Sequence, residues 1–283
     1  MKICYFNGNR LGMVEGDRVF DVSSVLESLP AQRPPFTRHD TIIANLPALM
    51  PKMRDAMVGA SSIAVSDARF DPPVGNPGKV LGAPVNYLDH QQEAQADPAT
   101  FAEAQVKRVA EIGLFLKATS SIVGINEGVR VSFPERRTDH EVELTVIIGK
   151  RGRDIAESEA LDHVAGYTIG LDMTVRGPEE RSLRKSVDSY TVLGPWMVTA
   201  DEFGDPADVS LSLTVNGEPR QNSRTSNLLM SVKSLIAFAS RFYTLEPGDV
   251  LMTGTPAGVG PVAPGDTIRA TIEGIASINI PVN

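Results

Sequence analysis

Disulfide bonds, membrane spans and a secretion signal find no support in this sequence of 283 residues. Cys4 is the single cysteine, so an intramolecular disulfide is excluded and the chain suits a reducing compartment. No stretch reaches the roughly 18 apolar residues of a membrane span, and the amino terminus turns polar too early for a signal peptide. We therefore expect a cytoplasmic protein that does not enter a membrane.

Positive charge is also scarce. The chain has 27 lysines and arginines but 35 aspartates and glutamates, which gives a net charge of -8. A nucleic-acid partner is therefore not expected, since that affinity depends on clustered basic residues. An anionic substrate would need cations placed locally around it. With 42% hydrophobic and 22% charged residues, the chain can bury a sizeable core. These values favour an enzyme or a binding protein.

A cluster of prolines and glycines at residues 71–78 is the densest break in the first half of the chain. Such clusters mark loops and linkers between domains. We therefore predict a small amino-terminal α/β domain over residues 1–73 and a larger domain over residues 74–283.

Hydrophobic periodicity and turn residues predict the elements on either side of this boundary. Before it, short strands over 2–22 precede a patchy helical stretch over 24–58. A helix over 227–243 is predicted to begin at Ser226 or Asn227, which are good N-cap residues. The predicted strands beyond the boundary include 142–148, 164–172 and 211–215. A turn leads into a strand within 193–199, and a strand that begins at Val250 runs into a glycine-rich loop.

Two glutamates stand at the start of the predicted strand 142–148. Glu141 and Glu143 are two positions apart, so their side chains point to one face, about 7 Å apart. Such a pair needs either a cation between the carboxylates or solvent around them. Mg²⁺ or Mn²⁺ would meet that need with oxygen ligands. Asp172, at the end of strand 164–172, is a candidate third ligand or a cap of the next turn.

A histidine and a glutamate lie at helical spacing soon after the boundary. If a helix begins near Tyr87, His90 and Glu93 share a face, and the carboxylate can orient the imidazole. The pair is either a base that activates water together with its orienting group, or an exposed polar turn of helix. The polar segment 98–114 is predicted to be helical and to move beside the candidate base.

Cations are concentrated shortly after Asp172, and a glycine-rich loop follows the last predicted strand. The cations are candidate partners of a substrate carboxylate, or they belong to a solvated loop with internal ion pairs. They are Arg176, Arg181, Arg184 and Lys185. The loop 253–260 offers backbone N–H groups and the Thr255 hydroxyl, which suit a carboxylate, although a tight turn has the same composition. It lacks the lysine and the spacing of a phosphate-binding loop.

From Lys79 to the carboxyl terminus the chain resembles the fumarylacetoacetate hydrolase family. Each motif is weak alone, but their common order in one chain is a specific signal. In chain order they are Asn86-Tyr87-x-x-His90-x-x-Glu93, Phe115-Leu116-Lys117, Glu141-x-Glu143, Asp172, Lys185-Ser186-x-Asp188, Leu193-Gly194-Pro195-Trp196 and Thr253-Gly254-Thr255-Pro256-Ala257-Gly258-Val259-Gly260.

The resemblance implies an α+β fold, a mixed β-sandwich-like roll with flanking helices and a smaller amino-terminal domain, assembled as a homodimer. It implies that one Mg²⁺ or Mn²⁺ ion per subunit is bound by three carboxylates, those of Glu141, Glu143 and Asp172. The matching also implies a water-activating dyad on a lid, a lysine that stabilises an oxyanion, and several substrate contacts. These are His90 and Glu93 for the dyad, Lys185 for the oxyanion, and Tyr87, Arg176, Glu179 and Thr255 for the substrate.

Two features depart from many family members that cleave acylpyruvates. The lid is lengthened by residues 94–113, and Glu179 stands where those members have a glutamine. Both features lie beside the expected substrate, so they concern its identity more than the metal site.

We therefore predict a metal-dependent hydrolase that cleaves a C–C bond in an acylpyruvate-like 2,4-dioxo acid. The products are the enolate of pyruvate and a carboxylic acid, as in aromatic-ring or sugar-acid catabolism. Two alternatives use the same metal site: an isomerase of a 2-hydroxymuconate- or heptadienedioate-type diacid, and an oxaloacetate-type decarboxylase. A non-catalytic metabolite-binding protein is a further alternative, against which the intact set of candidate ligands argues.

Overall fold

The β-branched apolar segments of the sequence form strands, and strands dominate the structure. The computed structural model describes residues 1–97 and 107–283. The strands of these residues are β1 (Lys2–Phe6), β2 (Arg10–Glu15), β3 (Arg18–Asp21), β4 (Ser62–Ala64), β5 (Phe70–Asp71), β6 (Val80–Gly82), β7 (Phe115–Lys117), β8 (Ile122–Gly124), β9 (Thr138–His140), β10 (Val142–Ile148), β11 (Val164–Asp172), β12 (Thr174–Val175), β13 (Thr191–Thr199), β14 (Ser210–Val215), β15 (Glu218–Arg224), β16 (Val250–Met252), β17 (Gly260–Pro261), β18 (Thr267–Ile272) and β19 (Ala276–Pro281).

The helices are short and fewer than the strands. In the described residues they are α1 (Thr41–Ala44), α2 (Leu46–Met57), α3 (Leu88–Ala96), α4 (Val109–Ile112), α5 (Arg181–Lys185), α6 (Ala200–Phe203) and α7 (Val232–Phe242), with several single-turn 3-10 helices between them. None of the described helices is long and apolar enough to cross a membrane.

One 12-stranded mixed sheet runs through the molecule in the order β4-β3-β2-β1-β13-β11-β10-β16-β6-β7, with β5 beside β1 and β8 beside β13. A four-stranded antiparallel sheet, β15-β14-β18-β19, and a small sheet, β12-β9-β17, complete the described strands. This arrangement, a large mixed sheet with smaller sheets and few helices, confirms the predicted α+β fold.

The central strand β10 is buried along its whole length because it has packed layers on both faces. Leu144 and Val146 belong to the core shared with β14 and β18, which includes Leu211 and Ile268. Ile147 belongs to a second core, on the opposite face, together with the apolar side of α2. Alternation along a strand explains this division, and each such buried side chain contributes roughly 1.5–3 kcal/mol of transfer free energy.

The amino-terminal strands continue the sheet of the rest of the chain. β1 pairs antiparallel with β13, placing Lys2 opposite Val198, and it also pairs with β2 and β5. Turns at Asn7-Gly8 and at Gly16 separate β1, β2 and β3, which confirms the short strands predicted over 2–22. The division into residues 1–73 and 74–283 stays a prediction.

Two predicted helices differ from the structure in their bounds. The helix predicted over 227–243 begins only at Val232, because the N-cap is Ser231, whose hydroxyl accepts from the Ser234 backbone N–H at 3.2 Å. Ser226 and Asn227 instead lie in a 3-10 turn, so their assignment as N-caps was wrong. Of the helix predicted over 98–114, residues 98–106 lie outside the described part of the chain, and α4 covers only one turn of the remainder.

Candidate metal and active site

Three buried carboxylates meet where β10 begins and β11 ends. The two strands are antiparallel neighbours with Glu143 opposite Gly170, so the start of one lies beside the end of the other. The Asp172 backbone N–H donates to the Glu141 carbonyl at 2.9 Å. Carboxylate oxygens of Glu141, Glu143 and Asp172 lie within 4.8 Å of one another. The structure therefore brings the predicted ligand set together.

Two buried lysines contact this acidic triad. Lys185, on α5, donates from Nζ to Glu141 Oε2 and to Asp172 Oδ2, each at 2.7 Å. Its third donor is bonded to the Thr174 hydroxyl at 2.7 Å. Lys117, the last residue of β7, donates to Asp172 Oδ1 and to a backbone carbonyl. The lysines hold two of the carboxylates in position and partly neutralise them.

The surroundings of the triad shift the pKa values of Glu141 and Glu143 in opposite directions. Burial alone raises the pKa of Glu141, but Lys185 and Arg176 reverse that shift and lower the pKa to about 2. Burial raises the pKa of Glu143 well above its usual range, and the other two carboxylates raise it further. Glu143 accepts a 2.6 Å hydrogen bond from the Gly254 backbone N–H. Its negative charge is thus the least compensated of the three.

The predicted histidine–glutamate pair forms at the start of α3. Nδ1 of His90 lies 3.0 Å from Oε2 of Glu93, and Glu93 Oε1 accepts from the Gly258 N–H at 2.9 Å. Since a carboxylate only accepts, Nδ1 carries the proton and Nε2 is the basic nitrogen. Gly258 has φ +92°, and a Cβ there would lie 1.8 Å from the Arg220 carbonyl oxygen, so the loop needs glycine at this position.

Thr255 is fixed within the same glycine-rich loop. Its hydroxyl donates to the Val142 carbonyl at 2.9 Å and accepts from Gln221 Nε2 at 2.7 Å. Gln221 is buried and comes from β15 of the four-stranded sheet. The loop is therefore bound both to the first residue of β10 and to the facing sheet.

A single cavity joins these groups. It is lined by the acidic triad and by His90, Arg176, Lys185 and Thr255. Arg176 Nη2 lies 3.3 Å from Glu141 Oε1, and its Nε donates to Asp139 at 2.7 Å. Carboxylates, an imidazole and cations thus line one cavity, which is the arrangement expected of an active site.

The sequence model of the family described as fumarylacetoacetate (FAA) hydrolase C-terminal matches residues 79–283. The chain belongs to the fumarylacetoacetate hydrolase family. This confirms the resemblance seen in the motifs. A maleylpyruvate hydrolase from Aquipseudomonas alcaligenes is 51% identical over 100% of this chain and 99% of its own.

Solved structures of family members share the fold over the whole chain. Maleylpyruvate hydrolase from Sphingobium sp. SYK-6, in complex with manganese(II) ion and pyruvate, is 35% identical with a TM-score of 0.84, covering 100% of this chain and 98% of that one. The 5-carboxymethyl-2-hydroxymuconate delta-isomerase from Mycobacterium smegmatis is 31% identical with a TM-score of 0.74, with the same coverage. Hydrolases and isomerases thus both occur among its relatives.

The triad of this family member fits a hard divalent ion. Its donors are carboxylate oxygens, the ligands that Mg²⁺ and Mn²⁺ prefer, and they already converge within 4.8 Å. Burial and like charge disfavour the ionised form of Glu143, and a cation at this point would reverse that effect. The chemistry of the donor set is thus that of a metal site.

Two of the predicted substrate contacts do not line the cavity of the triad. Glu179 pairs in a two-pronged contact with Arg136, at 2.7 and 3.1 Å, and lines a neighbouring cavity. Tyr87 is fully buried at the start of α3, and its hydroxyl has no hydrogen-bond partner among the residues described. Burial raises the pKa of Tyr87, and Glu143 raises it further. Direct substrate contact by either residue stays a prediction.

Sequence reasoning assigned no role to Lys117 or to the buried Asp139. Lys117 stood in a family motif, and Asp139 adjoins the acidic pair, but neither has a local pattern that reveals its partner. Asp139 accepts from Arg137 at 2.6 Å and from Arg176 at 2.7 Å, and so fixes Arg176 toward the triad. Arg184 also lines the cavity. In the sequence it was indicated only as a member of the cluster of cations after Asp172.

Proposed function

We propose that this protein is a divalent-metal-dependent hydrolase that cleaves a C–C bond of an acylpyruvate, releasing pyruvate and a carboxylic acid. The observation that carries the proposal is that His90, which is hydrogen-bonded to Glu93, and the carboxylate triad line one cavity. The dyad provides a base for water, and the triad provides the ligands for an ion that binds a 2-oxo acid. The two relatives named maleylpyruvate hydrolase, one of them with Mn²⁺ and pyruvate, support the same assignment.

Mg²⁺ or Mn²⁺ held by Glu141, Glu143 and Asp172 would supply Lewis-acid polarisation of the 2-oxo acid end of the substrate. Nε2 of His90 takes a proton from water, whose oxygen forms a bond to the distal carbonyl carbon. Glu93 keeps the imidazole in the required tautomer and stabilises the imidazolium that forms.

The C–C bond between the distal carbonyl carbon and the adjacent methylene then breaks, and its electron pair remains on the pyruvyl fragment. A proton returns to that carbon, so substrate and water are converted to pyruvate and a carboxylic acid. The positive charges of Lys185 and Arg176 stabilise the negative charge that develops in the cavity. All three donors of Lys185 are already bonded, so it acts here through its charge.

Isomerisation of a 2-hydroxymuconate-type diacid is the second candidate, supported by the isomerase relative at 31% identity. Isomerisation moves a proton and needs no attacking water. Decarboxylation of an oxaloacetate-type acid would use the same triad. The oriented dyad favours hydrolysis over both reactions. Its hydrogen bond keeps the proton on Nδ1 of His90, so that Nε2 can accept a proton from water.

The test follows the ultraviolet absorbance of a panel of acylpyruvates and oxaloacetate, with Mn²⁺, with Mg²⁺ and with EDTA. We expect metal-dependent loss of acylpyruvate absorbance with equal amounts of pyruvate and free acid. His90→Ala should abolish it, whereas the control His39→Ala, outside the cavity, should not. Pyruvate from oxaloacetate alone would instead indicate a decarboxylase, and an isomeric product would indicate the second candidate.

We further propose that the enzyme uses Mg²⁺ as well as Mn²⁺ and works as a homodimer in the cytoplasm. The single, buried Cys4 supports a reducing compartment. Leu116 and Leu183 are large apolar side chains with 42% and 64% exposure, on the neighbouring elements β7 and α5, and support a subunit contact there. Analytical ultracentrifugation of the wild type and of Leu183→Glu tests that contact.

A further inference from the structure

The edge strand β15 turns one polar side chain into the interior of the protein. Of its seven residues, all of which lie in the described part of the chain, Gln221 alone is buried, at 2% exposure. β15 is the edge strand of the four-stranded sheet. A buried amide group needs hydrogen-bond partners inside the protein, because its burial is otherwise costly.

A β-bulge directly before Gln221 brings the strand against the glycine-rich loop 253–260. The pairing of β14 with β15 shifts by one residue there and leaves Arg220 as an extra residue on β15. The Arg220 carbonyl lies so close to the loop that a Cβ on Gly258 would be 1.8 Å from its oxygen. Bulges bend a strand and re-aim the side chains beside them, and they are frequent next to active sites.

The amide of Gln221 uses all of its hydrogen-bonding positions. Nε2 donates to the Thr255 hydroxyl at 2.7 Å and to the Pro256 carbonyl at 2.8 Å. Oε1 accepts from the Val142 backbone N–H at 3.0 Å, and Nδ1 of His140 lies 3.3 Å from it. A reversed amide would oppose two donors at Val142 and two acceptors at Pro256, so these contacts allow one orientation. The amide therefore ties the loop to the backbone between two carboxylates of the triad.

The loop that Gln221 holds has two further contacts in the active site. The Gly254 N–H donates to Glu143 at 2.6 Å, and the Gly258 N–H donates to Glu93 at 2.9 Å. The two residues that accept from Gln221 lie between these glycines in the chain. One short loop thus fixes both a carboxylate of the triad and the carboxylate of the dyad, and Gln221 holds the middle of that loop.

We propose that Gln221 is a positioning residue of the active site. Its amide holds the glycine-rich loop at the place from which the loop fixes Glu143 and Glu93. The inference rests on the proposed function, since it takes these side chains to be a metal ligand and a member of the dyad. Groups that orient metal ligands or catalytic residues from behind commonly contribute about 10- to 100-fold to metal affinity or activity. This role explains why the buried position of β15 carries an amide.

Metal affinity tests the role without turnover. Calorimetry compares Mn²⁺ binding by the wild type and by Gln221→Met, which keeps the length of the side chain and loses its hydrogen bonds. We expect the Kd for Mn²⁺ to rise about 10-fold, because the N–H group that orients Glu143 is no longer held in place. Asn222→Met, at the next and exposed position of the same strand, is the matched control and should bind Mn²⁺ like the wild type.

Turnover gives the second comparison. At saturating Mn²⁺ and with an acylpyruvate as substrate, Gln221→Met should lower kcat by about 10- to 100-fold and change KM by less than about threefold. The reason is that a displaced dyad slows the chemical step more than it weakens binding. Gln221→Glu keeps an acceptor for the Val142 N–H but has no N–H for the loop, so it should lower kcat as well. Asn222→Met should match the wild type.

Chemical unfolding separates this role from a purely structural one. A less stable Gln221→Met with the Mn²⁺ affinity and kcat of the wild type would overturn the proposal, as would a raised KM with unchanged kcat. If Gln221→Met does not fold, Gln221→Glu carries the kinetic comparison, and a wild-type kcat in that variant would overturn it. If the wild type cleaves no acylpyruvate, but Gln221→Met weakens Mn²⁺ binding and Asn222→Met does not, the positioning role stands and the proposed function fails.

Discussion

Nδ1 of His90 lies 3.0 Å from Oε2 of Glu93, and the opposite oxygen of Glu93 is bound by a backbone N–H of the glycine-rich loop. The imidazole is therefore oriented by a carboxylate that is itself fixed from a second element of the fold. This arrangement links α3 to the loop after β16. It gives the pair a defined tautomer, which a solvent-exposed pair on a helix would lack.

Glu93→Gln should reduce hydrolysis by roughly 10²- to 10⁴-fold. The glutamine can accept from the Gly258 N–H only by turning its NH₂ group toward His90. Nδ1 must then accept, and the proton moves to Nε2, which no longer serves as a base. Steady-state kinetics with Mn²⁺ measures the effect, and calorimetry should show unchanged Mn²⁺ affinity. Gln92→Ala, at an exposed position of the same helix, is the control. Full activity of Glu93→Gln would contradict the dyad.

Asp139→Asn should weaken substrate binding through Arg176. The buried carboxylate of Asp139 holds the Nε of Arg176 at 2.7 Å and leaves another nitrogen directed to Glu141. With an amide in its place we expect KM to rise about 10-fold while kcat changes little, because a charge-assisted hydrogen bond that positions a cation is lost. Arg137→Gln removes the other partner of Asp139 and should have a smaller effect on KM. A fall in kcat alone would argue against a positioning role.

Removal of the metal should affect the wild type and Glu143→Gln differently. Mn²⁺ at 100 times its dissociation constant should stabilise the wild type by about 2.7 kcal/mol, as linkage requires. Glu143→Gln loses a ligand and should gain nothing from Mn²⁺. In EDTA the variant should be at least as stable as the wild type, because burial disfavours the charge on Glu143. Chemical unfolding with and without Mn²⁺ measures both, with Glu218→Gln at an exposed site as control. Equal stabilisation of wild type and Glu143→Gln would exclude this metal site.

Cys4 should be unreactive until the protein unfolds. Burial in β1 and, to a smaller extent, the negative charge of Asp71 raise the pKa of its thiol from 9.0 to about 12. Ellman's reagent at about pH 8 should therefore label the native protein far more slowly than the unfolded chain, since the thiolate is the nucleophile. The folded state holds its proton more strongly, so this group's contribution to stability is complete below pH 9.0 and is lost as the pH rises toward about 12. Equally fast labelling of native and unfolded protein would contradict the packing of β1.

The positions of these strands could be predicted because the apolar pattern that marks a strand lies within a few consecutive residues. The bounds of β10 and β11 agree with the predictions, since both are continuous apolar segments rich in β-branched residues. Their antiparallel pairing then brings together the three carboxylates that the motifs had marked. The dyad at His90 and Glu93 was equally accessible, because it depends only on helical spacing.

Contacts between distant segments were not predictable from local patterns. Lys117 reaches Asp172 from 55 positions earlier in the chain, through a sheet whose order is not readable from periodicity. Asp139 meets Arg176 because β9 pairs with β12, both of which are very short strands. The start of α7 was misplaced because several Ser and Asn residues precede it, and residue type alone does not distinguish those of the 3-10 turn from the N-cap Ser231.

The most direct test of the central claim is hydrolysis in H₂¹⁸O. Hydrolytic cleavage puts one oxygen of water into the released carboxylic acid, whereas isomerisation and decarboxylation leave no such acid. With Mn²⁺ and an acylpyruvate, we expect ¹⁸O in the carboxyl group of the new acid, and none of that acid in His90→Ala or in EDTA. An unlabelled acid, or a product in which the C–C bond is intact, would contradict it.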